Sequence, residues 1–282
     1  MKTIGFISYY MSECHANNYP KCIKDISAET GEDFVLKYAW AEKYVSPVDG
    51  RNTDEWCAEF GCEKCETIAE LCEKADYIMV LSPSNPETHL GYAQEVLKYK
   101  KLTYIDKTFA PDYATATKIF EIAKNYGAKF FSSSALRFAT EIAQLPTDGT
   151  AMMIIGGGSN IEEYLIHQLE ILVKLTDNST PKRVKVEGYA TQRFCTVEFE
   201  DGKMATIIYA MGLGYTVCID KGLEENPSAM VRSDTFKCLL RDVLRFFKTG
   251  ETSFDVNQTL TIMKLRDTIL NANKSLGEWV NF

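Results

Sequence analysis

His89, Asp106 and Lys107 are the residues whose types and spacing first indicate a functional site in this chain. His89 lies in a loop that follows one apolar strand pattern, and the Asp106-Lys107 pair ends the next strand pattern. A lysine at the carboxyl end of a buried strand indicates a role other than keeping the protein soluble. We therefore predict that these three side chains face one ligand-binding crevice.

The elements that position these residues follow from the hydrophobic pattern. Tyr77–Leu81 is a continuous apolar run, typical of a parallel strand buried on both faces, and the prolines in Ser82–Pro86 end it. Glu87–Lys101 carries apolar residues on one helical face, and Leu102–Ile105 is the next strand. A strand–helix–strand crossover brings both carboxyl ends to one sheet edge, where open α/β folds bind ligands.

The length and composition indicate a protein of enzyme size. At 282 residues the chain is expected to form two domains, and its 45% apolar and 25% charged residues are ordinary for a globular fold. The formal charge of −8 argues against nucleic acid or an anionic membrane as a partner. No apolar run approaches the ~20 residues of a membrane helix, and the first residues enter a strand pattern without a signal peptide.

Nine cysteines are scattered through the chain, and we interpret them as reduced thiols of a cytoplasmic protein. Cys62 and Cys65 form a Cys-x-x-Cys pair, with Cys57 and Cys72 nearby. A zinc site needs four well-spaced ligands, whereas Cys72 falls on the apolar face of a helix pattern. We therefore predict structural cysteines and no metal site.

The first half of the chain alternates strand and helix patterns. This alternation predicts an α/β fold with a Rossmann-type, doubly wound parallel sheet, assigned to residues 1–137. The predicted strands are Thr3–Ser8, Phe34–Ala39, Tyr77–Leu81, Leu102–Ile105 and Lys129–Ser132. The predicted helices are Asn18–Ile26, Thr53–Phe60, Thr67–Lys74, Glu87–Lys101 and one from Pro111-Asp112 to Gly127.

Residues 138–282 are predicted to form an α+β domain with an open, mostly antiparallel sheet, because several strands follow one another without helices between them. Asp201-Gly202 is a strong hairpin signal within this domain. The predicted strands are Ala151–Ile155, Val184–Tyr189, Arg193–Phe199, Met204–Tyr209 and Val217–Asp220. The predicted helices are Ile161–Thr176, Thr235–Lys248 and Val256–Ser275.

Several motifs, taken in their order along the chain, resemble the Gfo/Idh/MocA family of oxidoreductases, named for glucose–fructose oxidoreductase and inositol dehydrogenase. These motifs are Ser82–His89, Asp106-Lys107-Thr108 in place of the family's Glu-Lys-Pro, Arg137-Phe138, His167 on a helix, and the hairpin at Asp201-Gly202. The resemblance covers nearly the whole chain. It also implies that Gly156-Gly157-Gly158 is a tight strand-to-helix turn.

The resemblance implies hydride transfer between NAD or NADP and a secondary alcohol of a sugar- or cyclitol-like small molecule. Lys107 would place a positive charge near the reacting oxygen, with an ion pair to Asp106 as its structural alternative. His167, whose imidazole titrates near neutrality, would accept the hydroxyl proton. Glu163 lies one helical turn before His167 and either orients the imidazole or is a solvated surface residue.

The residues that we expect to bind the cofactor lie in several separate segments. They are Ser8, Tyr9, Ser12 and His15 after the first strand, Glu42 after the second, Ser82, Pro83 and His89 in the proline loop, and Asp106, Lys107 and Arg137. For His15 and His89, a structural role within their loops is an equal alternative.

The loop after the first strand departs from the dinucleotide-binding pattern Gly-x-Gly-x-x-Gly, in which backbone amides approach the pyrophosphate. None of the three loop glycines is present, tyrosines stand where glycine is expected, and Glu13 would repel a phosphate. Either the loop follows a different path, with Ser8, Ser12 and His15 as donors, or the cofactor is weakly held or absent.

The missing glycines define a rival hypothesis, which is a non-catalytic ligand-binding or regulatory protein on the same scaffold. Under both hypotheses the partner is a small molecule rather than nucleic acid or membrane. The resemblance also implies a homo-oligomer, a dimer or a dimer of dimers, formed through the exposed face of the second-domain sheet.

Overall fold

The structure is a computed structural model that describes residues 1–176, 179–222, 224 and 226–282. Within these residues, no helix combines the length and the apolar character needed to cross a membrane. All nine cysteines belong to this part of the chain and are free thiols. The described residues also contain no group of three or more Cys, His, Asp or Glu side chains arranged to hold a metal ion.

The described chain forms two compact units. The first unit combines Met1–Ser133 with Leu239–Val256, and the second combines Ser134–Cys238 with Asn257–Phe282. This division differs from the predicted boundary at residue 137, because a segment late in the chain packs on the first sheet. The Phe247 ring stacks on Tyr77 with ring centroids 4.8 Å apart.

The first unit is built on a parallel sheet, whose order across the described residues is β3-β2-β1-β4-β5-β6. Its strands are β1 (Lys2–Ser8), β2 (Phe34–Ala41), β3 (Glu63–Lys64), β4 (Tyr77–Val80), β5 (Thr103–Ile105) and β6 (Phe130–Phe131). The order is that of a dinucleotide-binding Rossmann sheet, in which the strand order reverses between β1 and β4. The predicted doubly wound fold is confirmed.

Helices connect these strands. They are α1 (Cys14–Thr30), α2 (Thr53–Phe60), α3 (Ile68–Lys74), α4 (His89–Val96) and α5 (Tyr113–Tyr126). The α2 bounds agree with the prediction, and α2 and α5 end at glycines in the left-handed conformation, as expected. The helix predicted over Glu87–Lys101 is shorter, because 3-10 turns at Pro86–Thr88 and Leu97–Tyr99 replace its ends. The two-residue β3 is too short for a sequence pattern to reveal.

The central strands of this sheet are buried on both faces. Ile4, Phe6 and Ile7 of β1 and Ile78 and Met79 of β4 have no exposed surface. Each such side chain contributes about 1.5–3 kcal/mol through burial, which holds the carboxyl ends of β1 and β4 in fixed positions. The loops that follow these two strands therefore start from a rigid edge.

The second unit is a mixed sheet, whose order across the described residues is β12-β11-β7-β10-β9-β8-β13. Its strands are β7 (Ala151–Gly156), β8 (Pro181–Tyr189), β9 (Gln192–Phe199), β10 (Met204–Tyr209), β11 (Thr216–Asp220), β12 (Ser228–Met230) and β13 (Trp279–Asn281). Its sheet is mostly antiparallel, as predicted, with β7 and β10 as a parallel pair. The remaining α-helices of the described residues are α6 (Thr140–Ala143), α7 (Ile161–Leu175), α8 (Thr235–Thr249) and α9 (Gln258–Ala272).

The turn between β7 and α7 fixes where α7 begins. A Cβ atom on Gly157 would lie 1.9 Å from the carbonyl oxygen of Ala210, so only glycine fits at this position. Asn160 then caps α7, because its Oδ1 accepts a hydrogen bond from Glu163 N at 2.7 Å. The position of His167 along α7 follows from this start.

Candidate functional site

A cavity of about 380 Å³ opens where the carboxyl ends of β1 and β4 meet the sheet edge. Ser8 lines it from the end of β1, Tyr9 and Ser12 line it from the loop after β1, and Ser82 and Pro83 line it from the loop after β4. Open α/β sheets bind their ligands at this point, where the strand order reverses. The structure thus brings these five predicted cofactor-binding residues to one cavity.

Direct hydrogen bonds hold the cavity walls together. Tyr9 N donates to Ser82 Oγ at 2.7 Å, and Ser12 Oγ donates to Asp49 Oδ2 at 2.6 Å. Ser82 has a φ of 77°, a left-handed conformation that a non-glycine residue keeps only when its neighbours hold it. Asp49 was not predicted from the sequence, where its only signal is its place in a Pro-Val-Asp-Gly turn.

The Ser8 hydroxyl indicates where a ligand is needed. Ser8 lines the cavity and is fully buried, and its Oγ has no hydrogen-bond partner within the part of the chain that the structure describes. A buried polar atom without a partner costs about 1–3 kcal/mol. A polar ligand atom in the cavity would remove this cost.

Glu13 also lines the cavity and is the N-cap of α1. Its Oε2 accepts from His15 N at 2.7 Å, and its Oε1 accepts from Ala16 N at 2.6 Å. The residue is 7% exposed, and burial raises the pKa of Glu13 to about 7. Glutamate is not a common N-cap residue, which is why the predicted helix start at Asn18 was wrong by one turn.

His15 and Asp106 form a buried pair at the carboxyl edge of the first sheet. His15 Nδ1 donates to the Asp106 carboxylate, which also accepts from Tyr104 Oη at 3.0 Å and from Lys107 N at 2.8 Å. Burial alone would raise the pKa of Asp106, but His15 and Lys107 outweigh burial and lower this pKa below its ordinary value. Asp106 is therefore an anion that orients the His15 ring.

Lys107 follows β5 and is 6% exposed. Its charge acts on Asp106 and on the thiol of Cys14, the first residue of α1. Burial and the nearby Glu13 nevertheless raise the pKa of the Cys14 thiol, so Cys14 is not an activated thiolate. Lys107 thus belongs to the same cluster of charges as Glu13, His15 and Asp106.

Two predicted cofactor-binding residues make other contacts. His89 is fully buried, with Nδ1 3.0 Å from Phe109 O and Nε2 2.6 Å from Leu81 O, and burial lowers the pKa of its imidazole. Both ring nitrogens face the main chain, so the geometry favours the structural alternative for His89. Glu42 is exposed, and its Oε2 accepts from Tyr92 Oη at 2.8 Å.

In the second unit, His167 lies on α7 beside Ser134. The two side chains are 2.6 Å apart between His167 Nδ1 and Ser134 Oγ, and Ser134 Oγ also accepts from Leu136 N at 3.2 Å. The aromatic rings of Tyr164 and Tyr215 flank the imidazole, with centroids at 5.7 and 5.9 Å. The imidazole is therefore held by one hydroxyl and two aromatic side chains.

Glu170 forms hydrogen bonds with two residues near His167 in the chain fold, Ser134 and Arg137. Its Oε1 accepts from Ser134 N at 3.0 Å, and its Oε2 accepts from Arg137 Nε at 2.7 Å. Arg137, which was predicted to bind the cofactor, is 3% exposed and forms a salt bridge with Glu170 within the second unit. Glu163 lies in the first turn of α7. Ser134 and Glu170 were not predicted from the sequence, although the serine run that ends at Ser134 follows the carboxyl end of β6.

Comparison with known proteins agrees with the fold of the first unit. The Gfo/Idh/MocA family model, described as an oxidoreductase family with an NAD-binding Rossmann fold, matches residues 27–134. This match makes residues 27–134 similar in sequence to the NAD-binding part of that family. The resemblance inferred from the sequence motifs is thereby confirmed. No curated protein sequence matches the chain.

Solved structures with the same fold cover nearly all of the chain at low sequence identity. A probable dehydrogenase from Thermotoga maritima has a TM-score of 0.81 and 15% identity, covering 99% of this chain and 98% of that one. A myo-inositol dehydrogenase from Corynebacterium glutamicum has a TM-score of 0.80 and 13% identity, covering 100% and 98%. GenD2 from gentamicin A biosynthesis, in complex with NAD, has a TM-score of 0.79 and 11% identity, covering 100% and 97%. At these identities the likeness establishes the fold.

The Gfo/Idh/MocA description implies a nicotinamide dinucleotide, and the cavity fits only part of such a ligand. Its place in the sheet and the Ser8 hydroxyl suit a bound dinucleotide. The first amides of α1, which a Rossmann fold offers to the pyrophosphate, already donate to Glu13. Asp49 adds a second carboxylate, and no lysine or arginine is among the described residues that line the cavity. The pyrophosphate does not fit while Glu13 holds these amides.

Replacing Asp106 with asparagine is expected to destabilise the first unit. The change leaves His15 without its anionic partner, and we expect a loss of about 3 kcal/mol in the free energy of unfolding at neutral pH. Because the pKa of Asp106 is lowered in the folded protein, its stabilising effect is present above its ordinary value of about 3.9 and is lost below it. The difference between wild type and D106N should therefore shrink in acid.

Urea denaturation at neutral and acidic pH measures this difference. Asp148 is a matched control, because its exposed carboxylate pairs with Lys221, and D148N should leave the stability nearly unchanged. A D106N protein as stable as D148N at neutral pH would contradict the assigned role of Asp106.

Proposed function

We propose that the chain is an NAD(P)-dependent oxidoreductase that transfers hydride between nicotinamide and a secondary alcohol of a sugar- or cyclitol-like molecule. The observation that carries this proposal is the buried Lys107, which follows β5 of a Rossmann sheet beside the ionised Asp106. The match of residues 27–134 to an oxidoreductase family supports it. A bound nicotinamide would accept or supply the hydride.

The role proposed for Lys107 is to stabilise negative charge on the substrate oxygen. As an alcohol loses its proton, charge develops on the oxygen, and a fixed ammonium group in a water-poor site stabilises that charge more strongly than one in bulk water. Asp106 balances the Lys107 charge in the free protein. Its hydrogen bond with Lys107 N also fixes the backbone from which the side chain extends.

The role proposed for His167 is to accept the hydroxyl proton. A hydroxyl oxygen has two lone pairs, so Ser134 Oγ can accept from both Leu136 N and the Nδ1–H of His167. In that tautomer, Nε2 carries the lone pair that takes the proton. Ser134 is then a positioning residue, and Glu163 is a further candidate for orienting the ring.

A specific observation favours the second candidate function, a non-catalytic ligand-binding or regulatory protein on the same scaffold. The Glu13 carboxylate holds the amides that a pyrophosphate would need. A protein that had lost dinucleotide binding could keep the Rossmann sheet for another small molecule. Binding measurements with the two dinucleotides separate these functions.

We propose a homodimer formed through the open face of the second sheet, or a dimer of such dimers. Met153, Phe194 and Met204 expose 36%, 38% and 43% of their surface there, and Phe194 pairs with Ile208 across β9 and β10. The alternate residues of these strands, such as Ile154 and Ile207, are buried. A second copy would cover the apolar face that the helices of this unit leave open.

The nine free cysteines suit a reducing compartment, which supports a cytoplasmic location for this function. Five of them, Cys14, Cys22, Cys62, Cys218 and Cys238, are not fully buried. These thiols stay reduced without protection in such a compartment.

Calorimetric titration with NADH and NADPH tests the proposed function. We expect micromolar binding of one of them and turnover with a cyclitol or sugar substrate. Replacing Lys107 with alanine should lower kcat/KM by a factor of about 100 or more, because it removes the charge that stabilises the developing oxyanion.

The control for this test is K98A, since Lys98 is exposed in the same unit and should be dispensable. Circular dichroism spectra should be the same for both variants and wild type. Binding of neither dinucleotide, or full activity of a folded K107A protein, would reject the oxidoreductase in favour of the ligand-binding protein.

Replacing Ser134 with alanine is expected to lower kcat about tenfold with little effect on KM, since it removes the acceptor that fixes the His167 tautomer. The acidic limb of the kcat profile against pH, which reports His167, should shift. S159A changes an exposed serine near the start of α7 and serves as the control. An unchanged pH profile in S134A would remove Ser134 from the mechanism.

Replacing Phe194 with aspartate tests the proposed dimer. Light scattering should give about 64 kDa for wild type, twice the chain mass of 31.9 kDa, or twice that value for a dimer of dimers. F194D should have half of the wild-type mass, because a buried unpaired carboxylate opposes association through this face. Y126D places the same charge on an exposed tyrosine of the first unit and should remain dimeric. Wild type that elutes as a monomer would contradict the proposal.

A further inference from the structure

The contacts of Glu13 match those of a bound phosphate. Its two oxygens accept from His15 N and Ala16 N, consecutive amides in the first turn of the 17-residue α1. These donors, together with the positive end of the helix dipole, are what a Rossmann fold offers to a pyrophosphate. In dinucleotide-binding sheets a phosphate of the ligand occupies this position. In this protein the Glu13 carboxylate occupies it.

The titratable groups that face Glu13 determine how readily its carboxyl group takes up a proton. Cys14, His15 and Tyr19 approach it from α1, and Asp106 approaches it from the end of β5, next to Lys107. Burial and the charge of Asp106 disfavour the anion, while His15 and the two amides favour it. The net result is a carboxyl group whose pKa of about 7 lies in the physiological range.

The Ser8 hydroxyl is an independent sign that this cavity receives a polar ligand. It lies at the end of β1 on the cavity wall, and its buried Oγ is unsatisfied among the described residues. Glu13 lines the same cavity. A ligand that reaches Ser8 therefore meets the carboxylate as well.

We propose that Glu13 competes with the ligand's pyrophosphate, so that a dinucleotide binds only when Glu13 takes up a proton and releases the amides of α1. This inference rests on the proposed dinucleotide-dependent function and assigns Glu13 as the residue that couples binding to pH. Glu13 therefore replaces the missing glycine loop as the determinant of cofactor affinity.

The sign of the pH dependence follows from this competition. Below about pH 7 Glu13 is already protonated, so the dissociation constant should not change with pH. Above about pH 7 binding must take up one proton, so the dissociation constant should rise about tenfold for each pH unit. A ligand that lacks phosphate should show no such rise.

The experiment is calorimetric titration of the full chain with ADP-ribose, which keeps the pyrophosphate but cannot undergo hydride transfer. Adenosine is the control ligand, and titrations run from about pH 6 to about pH 8.5 in buffers of different ionisation enthalpy, which report proton uptake. The test variant is E13Q, which keeps an oxygen acceptor at the cap. The control variant is D112N, which makes the same change at the N-cap of α5.

The expected result is ADP-ribose binding that takes up about one proton above neutrality in wild type and D112N. E13Q should bind independently of pH and about tenfold tighter than wild type near pH 8. His15 remains in E13Q, so loss of the pH dependence in this variant assigns it to Glu13.

Two results would overturn the inference, and they differ in what they say of the proposed function. If wild type and E13Q bind ADP-ribose alike at every pH, Glu13 does not compete, and the oxidoreductase proposal stands. If neither protein binds ADP-ribose at any pH while both are folded, the inference and the cofactor part of the proposed function both fail.

Discussion

The carboxyl edge of the first sheet depends on a balance of buried charges. Glu13 and Asp106 contribute carboxyl groups, Lys107 contributes an ammonium group, and His15 contributes an imidazole that lowers the pKa of both carboxyl groups. A single buried charge in such surroundings would be costly, and the opposite charges of these groups offset part of that cost for one another. The balance explains why Asp106 stays ionised while Glu13 titrates near neutrality. For Asp106 the interactions with His15 and Lys107 outweigh burial, whereas for Glu13 the interaction with His15 and the two amide hydrogen bonds do not.

The fold was largely predictable because long periodic patterns carry strong signals. The apolar runs at β1 and β4, the glycine stops after α2 and α5, and the hairpin at Asp201-Gly202 all appear where the sequence indicates them. The short strands β3, β12 and β13 were not predicted, because pairing with a neighbouring strand rather than a sequence pattern defines them. The start of α1 was misplaced because its cap is a glutamate.

The candidate site was less predictable than the fold. Ser8, Ser12 and Ser82 follow strand ends, and strand ends can be read from the sequence. His89 also follows a strand end, yet both of its ring nitrogens contact main-chain carbonyl oxygens. These carbonyl groups are brought to the ring by the packing of loops, which the sequence pattern does not reveal. Ser134 and Glu170 are far apart in sequence and meet only through the folding of the second unit. A local sequence pattern cannot predict contacts between residues so far apart in the chain.

The return of Leu239–Val256 to the first unit bears on how the protein is made. During synthesis the first sheet emerges long before Phe246 and Phe247, whose rings lie against Phe131 and Tyr77. Until then an apolar patch on the nascent sheet stays open to the ribosome surface and to chaperones. Completion of the first unit must therefore wait for nearly the whole polypeptide, and a gene fragment that stops after residue 133 would encode an aggregation-prone product.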